Sequence, residues 1–183
     1  MKKKVDISNR LDLLLFFKDM KNYVIIRIDD NFPNYKYSDD IDILTNNLEE
    51  TKNHILNIGK KYKDFKIKIS HGSGGKTHYH IDFYYKNENI DDFRFDLIGN
   101  LSHFYKNTNI PKNYIKNILI SKSNKHINNV NICIPMLCHE LELRYLEYIT
   151  KIKRKPEKIK HLKFIEQFPN IKFNKYHTIL TNE

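Results

Sequence analysis

Asp40 and Asp42, in the run Ser38-Asp39-Asp40-Ile41-Asp42-Ile43-Leu44, are the side chains of this 183-residue sequence best spaced for chemistry. In a strand, residues two apart share a face, so the two carboxylates point one way and Ile41 and Ile43 the other. Burying the aliphatic face gives no packing reason to set two like charges side by side opposite it. At about 4 Å they repel by ~1 kcal/mol in water and by ~4 kcal/mol at an effective dielectric near about 20. A hard divalent cation between them reverses that sign, and Mg²⁺ (or Mn²⁺) prefers carboxylate oxygens. The competing account is a solvated turn, since Asp-Asp pairs are common in loops.

Two further aspartates stand in apolar surroundings, in His80-Ile81-Asp82-Phe83 and Phe95-Asp96-Leu97-Ile98. A symmetric hairpin centred near residue 89 sets Asp82 opposite Asp96, with Cβ atoms about 4.5–5.5 Å apart. Four carboxylates on three strands then meet on polar faces, unless Arg94 or the nearby histidines neutralise them. The placement depends on register, because a slip of one residue turns Asp96 to the other face.

The elements that must position these acids follow from periodicity. Residues 8–21 read as a helix capped by Ser8, with Leu11, Leu14 and Leu15 as its stripe. Tyr23–Ile28 reads as a β-branched strand interrupted by Arg27, and Asp29–Tyr37, with Pro33, as a loop. After the Asp40–Leu44 strand, Asn46 and Glu49 resemble a capping box, opening a helix to about residue 62. Phe65, Ile67 and Ile69 alternate with polar residues, as in a strand with one wet face. The glycine-containing loop His71–Lys76 leads to strands over 77–85 and 93–99, joined by Lys86–Asp92. Pro111 opens a short helix or turn, and Val130–Ile134 is a short strand. Pro135 sits in the first turn of a helix from Met136 to about Arg154, and Pro156 separates it from a last helix, Glu157–Phe168. This order, a helix, several strands with one embedded helix and then paired C-terminal helices, is α+β without βαβ regularity. It divides into a core at residues 1–110 and a mainly helical extension, 111–183, packed on it.

Composition sets the limits. A chain of this length with 40% hydrophobic and 30% charged residues suits one soluble globular domain with a small appendage. The net charge of +10 would suit nucleic acid or another polyanion. The excess is scattered, however, and Lys, Asn and Ile are abundant together, which fits a solvated surface in an AT-biased coding sequence. Cys133 and Cys138 form neither a disulfide framework nor a zinc knuckle, so a reducing, cytoplasmic setting is expected. The opening Met1-Lys2-Lys3-Lys4 resembles a signal-peptide start, but the apolar run Leu13–Phe17 is short and bracketed by Asp12 and Asp19. No stretch approaches a membrane span.

Taken together, these residues resemble the nucleotidyltransferase superfamily, whose fold is shared by polymerase β. The likeness is carried by Tyr23-Val24-Ile25-Ile26-Arg27, Phe32-Pro33, Ser38 to Leu44, and Phe93 to Ile98. Leu141-Glu142-Leu143-Arg144-Tyr145-Leu146 and Lys158-Ile159-Lys160-His161-Leu162 add to it. It covers roughly residues 20–168 and is closest to small bacterial and viral members with an SDxDI-type motif. The resemblance implies a mixed sheet with flanking and C-terminal helices, and implies that Asp40 and Asp42 bind the metals carrying a triphosphate. It gives Asp96 the third place, completing a metal site and helping to activate the attacking hydroxyl, with Asp82 as its rival. The implied reaction moves a nucleoside monophosphate from an NTP to a hydroxyl acceptor of unknown identity, by in-line phosphoryl transfer. One departure stands out: the family's Gly-Ser or Gly-Gly turn before the acids is missing, since Asp29–Tyr37 contains no glycine. Phosphate would then be gripped by other groups, Arg27 or Ser38 among them. The missing turn also motivates the alternative, a non-catalytic nucleic-acid or anion-binding module derived from the same fold. A metal-dependent phosphodiesterase is a third possibility.

Other signals are weaker. Ser70-His71-Gly72-Ser73-Gly74-Gly75-Lys76-Thr77 nearly matches a P-loop, but an alternating strand follows where a helix N-terminus is required. A mobile loop with Lys76 able to reach a phosphate, or a simple hairpin turn, fits better. His78, His80 and Asp82 share a strand face, and a His-x-His pair can ligate zinc. With no further clear ligand, His80 is better read as a substrate contact or as a partner of an aspartate. His139 and His161 read as packing or surface residues, and Arg144 as solvated or phosphate-reaching.

Overall fold

A computed structural model describes residues 7–86, 90–105 and 108–175. The basic start Met1–Lys4 and part of the expected Lys86–Asp92 connection lie outside these. In chain order come β1 (Ile7–Ser8), α1 (Leu13–Phe17), β2 (Tyr23–Ile25), β3 (Tyr35–Lys36), β4 (Asp39–Thr45), α2 (Leu48–Gly59) and β5 (Phe65–His71). There follow β6 (His78–Tyr85), β7 (Ile90–Ile98), α3 (Leu101–Phe104), α4 (Tyr114–Ile120), β8 (Ser123–Ile127), β9 (Val130–Ile134), α5 (Leu137–Lys151) and α6 (Ile159–Ile165). The protein is α+β. Its main sheet has the order β2-β4-β7-β6-β5 among the described residues, and β1-β3 and β8-β9 form separate two-stranded ribbons.

The main sheet is mixed because β4 and β7 run parallel while every other neighbouring pair in it is antiparallel. One face of it is mainly apolar. Ile41 and Ile43 of β4, Phe93, Phe95 and Leu97 of β7, and Ile81 and Phe83 of β6 pack there with Phe16, Phe17 and Ile55 from α1 and α2. Phe95 packs edge-on or tilted against Phe16, Phe17, Phe83 and Phe93, with centroids 5.0–6.2 Å apart. The opposite face is divided. Towards one end Leu44, Ile98, Val24 and Ile26 form a second core with Ile115, Ile118, Leu143 and Leu146. Towards the other it carries Asp40, Asp42, Arg94, Asp96, His80 and Asp82. The apolar end anchors α4 and α5, and this leaves the polar end open beneath α6.

Several boundaries differ from expectation for local reasons. Helix α1 starts at Leu13, not at Ser8, because Asp12 supplies the cap by accepting from the Leu14 and Leu15 N–H groups. The cap of α2 is Asn47 with Glu50, one position after the expected pair. Strand β2 ends at Ile25, although the Ile26 N–H still donates to the Asp42 carbonyl (3.0 Å), so Arg27 leaves the sheet beside Asp42. Pro135 precedes the Met136 cap of α5 and is outside its first turn. The last helix begins as a 3₁₀ turn, Pro156–Lys158, and ends at Ile165. Strand β8 departs from the expected elements: residues 123–126 are exposed and show no apolar alternation.

Candidate active site

The acids converge as the alternation requires. Asp42 pairs in register with Asp96 across the parallel β4–β7 ladder, and Asp40 pairs with Arg94. Neighbouring strands lie about 4.8 Å apart, so Asp42 and Asp96 are set side by side on one face. The hairpin register, however, differs from the symmetric one centred at residue 89. Asp82 stands opposite Arg94, and Asp96 opposite His80. The shift is an even number of residues, so every side chain keeps its face while its neighbour changes. Arg94 Nε donates to Asp82 Oδ1 at 2.5 Å, and Asp82 is thereby neutralised. Among the described residues Asp96 keeps only longer ion pairs, to His80 at 3.6 Å, His78 at 3.8 Å and Arg94 at 3.9 Å. Between the two rivals for the third acid, Asp96 is the one adjacent to Asp42.

Electrostatics distinguish these carboxyls from surface acids. Burial pushes the Asp42 carboxyl up to about 6, against the pull of Arg27, and repulsion from Asp40, Asp96 and Glu147 adds to the rise. Asp40 is raised by loss of water and then by Asp96, with Arg94 and Arg27 opposing. Asp96 Oδ1 is buried and accepts no hydrogen bond among the described residues. Hard oxygens, mutual repulsion and an unsatisfied buried acceptor together fit a Mg²⁺-type cation.

A cleft of about 520 Å³ opens over Asp40 and Asp42. Its other wall comes from α5, the 3₁₀ turn at Pro156–Lys158 and α6, through Arg144, Lys158, Lys160, His161 and Phe164, and an apolar corner is made by Leu13, Ile28, Phe32 and Phe93. Arg144 lies over the Phe164 ring, 3.7 Å from its centroid, and is held by Glu140. Ser38 borders a smaller recess of about 180 Å³ with Asp40, Asp82 and Arg94. It adopts a left-handed φ of 65°, in the turn where glycine would be expected. Its N–H donates to the Asp92 carbonyl (3.1 Å), so that donor is already committed within the protein. Arg27 lines the cleft, whereas Lys76 and His80 border neither the cleft nor the recess. No helix follows Lys76-Thr77: a single 3₁₀ turn runs straight into β6, as the strand pattern requires.

Sequence reasoning missed the residue that joins the two walls. Glu147, buried on α5, accepts from Arg27, from Lys158 (2.6 Å) and from Lys151 (3.4 Å), with His161 Nε2 also at 3.4 Å. Arg27 in turn reaches Asp42 at 3.5 Å. The only signal was the i, i+3, i+7 spacing of Arg144, Glu147 and Lys151 on one helix face, which usually marks a solvated stripe. His161 is 1% exposed. Burial, and then Arg27, lower its pKa to about 4, with Glu147 opposing. Its folded value thus lies below the unfolded value of about 6.5, so its contribution to stability is complete above that pH and is lost as pH falls towards 4. His161→Asn is expected to flatten this part of the stability profile, read as the difference between urea midpoints at about pH 7.5 and about pH 5. An unchanged difference would show that His161 is not held neutral by the fold.

Comparison of this chain with protein families, with curated proteins and with solved structures finds no significant match. No helix among the described residues is long and apolar enough to cross a membrane.

Proposed function

We propose that the protein is a divalent-metal-dependent nucleotidyltransferase that moves a nucleoside monophosphate from an NTP to a hydroxyl acceptor. The observation that carries this reading is the facing of two walls. Asp40 and Asp42 lie across one cleft from Arg144, Lys158, Lys160 and His161, and Asp96, which borders neither the cleft nor the recess, adjoins Asp42 on the next strand. Carboxylates alone would repel a triphosphate and cations alone would merely bind one; the pairing suits a reaction at a phosphorus atom.

Asp40, Asp42 and Asp96 are the residues that would hold Mg²⁺ or Mn²⁺, which supplies neutralisation of the charge on the attacking and leaving oxygens. Lys158, Lys160 and Arg144 take the β- and γ-phosphates from the opposite wall, replacing the glycine turn that the chain lacks. The apolar corner at Phe32 and Phe93 receives the base or sugar. The acceptor oxygen bonds to the α-phosphorus as the α–β bridging bond breaks, and pyrophosphate leaves. The acceptor proton passes to a carboxylate of the trio and then to water.

The test is incubation with each of the four NTPs and Mg²⁺ or Mn²⁺, reading adducts by mass spectrometry together with released pyrophosphate. Equimolar pyrophosphate and nucleotidylated acceptor are expected. Nucleotide hydrolysis without any acceptor adduct would replace this reading with a phosphodiesterase. Salt-sensitive RNA binding that is indifferent to EDTA, with no turnover, would replace it with a binding module.

A further inference from the structure

The proposed transferase leaves the histidines of β6 without a role, and the glycine-containing loop as well. His78 and His80 lie two apart on β6 and so share the face that carries Asp96. His80 is directly opposite Asp96, and His78 is one pleat further along. His80 Nε2 stands 3.6 Å from Asp96 Oδ1 and His78 Nε2 stands 3.8 Å from Oδ2. Both separations are longer than a hydrogen bond, so the two rings face the carboxylate without bonding it. One donor atom from each of the three residues falls within 4.8 Å of the others. Ligand atoms around a tetrahedral ion with Zn–N and Zn–O bonds of about 2.0–2.2 Å lie about 3.3–3.6 Å apart, so the separations of 3.6 and 3.8 Å need only small side-chain shifts to close on one ion. Asp96 Oδ1, directed at this space, is buried and accepts no hydrogen bond among the described residues.

The loop closes over the same place. A Cβ on Gly72 would lie 2.1 Å from His78 Nδ1 and 2.5 Å from His80 Nε2, and one on Gly74 would lie 2.9 Å from His78 Cβ. Only glycine allows the backbone to come this near, so the Ser70–Thr77 run is built as a hood over two imidazoles and not as a phosphate loop.

We propose that His78, His80 and Asp96 form a site for one divalent transition-metal ion, Zn²⁺ being the best match to two imidazole nitrogens and one carboxylate oxygen. Such a donor set differs from the all-oxygen environment of Asp40 and Asp42, which suits Mg²⁺. Three protein ligands leave a further position for water. The Gly74 N–H lies 3.5 Å from His78 Nδ1, so the loop backbone meets this ring on the side away from Asp96. Asp96 belongs to both sites, so filling this one draws its carboxylate towards β6. That last consequence rests on the transferase reading; the site itself does not.

The test titrates Co²⁺, as a visible stand-in for Zn²⁺, into the full-length protein after EDTA treatment and buffer exchange. One equivalent is expected to give ligand-field bands of the strong, low-coordinate kind, which Zn²⁺ abolishes. His78→Gln and His80→Gln should each weaken Co²⁺ binding by at least the about 10–100-fold seen when mere outer-shell partners are lost. His80 is the more exposed of the two, so its variant preserves the test if the His78 variant does not fold, as judged by circular dichroism. Asp42→Asn should keep the Co²⁺ bands while losing nucleotide transfer, so this proposal and the transferase reading fail separately. Weak octahedral bands only, or bands unchanged in a folded His80→Gln protein, would overturn the site.

Discussion

Asp42→Asn is expected to lower nucleotide transfer by roughly 10³-fold, the scale on which losing one group that stabilises transition-state charge is felt, and to do so without lowering thermal stability. The second half of this expectation follows from the environment of the carboxyl. Burial and repulsion from Asp40, Asp96 and Glu147 outweigh the pull of Arg27, leaving the folded value at about 6. The unfolded value is about 3.9, so the folded state binds this proton more tightly. Stability on this account is greatest below about pH 4 and falls as pH rises to about 6, and it stays reduced at neutrality. Asparagine keeps the shape and removes the charge. Arg27 loses a 3.5 Å contact but retains Glu147. In EDTA the variant should therefore melt at the wild-type temperature or above it. Mg²⁺ should raise the wild-type midpoint by binding the native state, and should leave that of the variant nearly unmoved. Undiminished transfer would remove Asp42 from the chemistry, and a variant that unfolds would refute the electrostatic account of its stability.

Glu147→Gln should act in the opposite sense, with a loss of about 3–5 kcal/mol, the scale for breaking a buried ion pair on one side. Burial alone would raise this carboxyl, yet Arg27, Lys151 and a hydrogen bond from Lys158 hold it well below the usual carboxylate range. A depressed value means stability that is fully present above the unfolded value of about 4.3 and lost only in strong acid. Glutamine can still accept hydrogen bonds, but it leaves Arg27, Lys151 and Lys158 facing one another around a neutral group. Urea unfolding at neutral pH measures the change. A shift under about 1 kcal/mol would place the cluster with ordinary solvated pairs. Transfer should fall as well, because this cluster holds α5 and the Lys158–His161 turn across from β4.

What the sequence revealed and what it hid divide by range. The two-residue alternation of Asp40-Ile41-Asp42-Ile43 and of Phe95-Asp96-Leu97 is local, so the faces of both strands were legible, and the α+β class with them. The identity of a cross-strand neighbour was not. Asp82 meets Arg94 because the hairpin is offset and irregular between Phe83 and Tyr84, which no count from a presumed centre anticipates. Strand β8 is almost wholly exposed and has no alternation to detect. The Arg27–Glu147 pair joins residues 120 positions apart, and each looks alone like a surface charge. Resemblance alone gives Asp96 the place of a third catalytic acid. That two imidazoles frame it becomes visible only once β6 is laid beside β7.

The parallel pairing of β4 with β7 governs when the site can come into being. Parallel neighbours cannot be joined by a tight turn, and here the intervening chain runs out through α2 and back through the β5–β6 hairpin. Loop-closure entropy must be met before these distant contacts yield any return, which places the meeting of Asp42 and Asp96 late in folding. The cationic wall is later still in chain order, beginning at Arg144. A nascent polypeptide that has emerged only as far as Ile98 already carries every acid of the trio and none of the lysines opposite, so the two walls of the cleft face each other only once the later helices have docked.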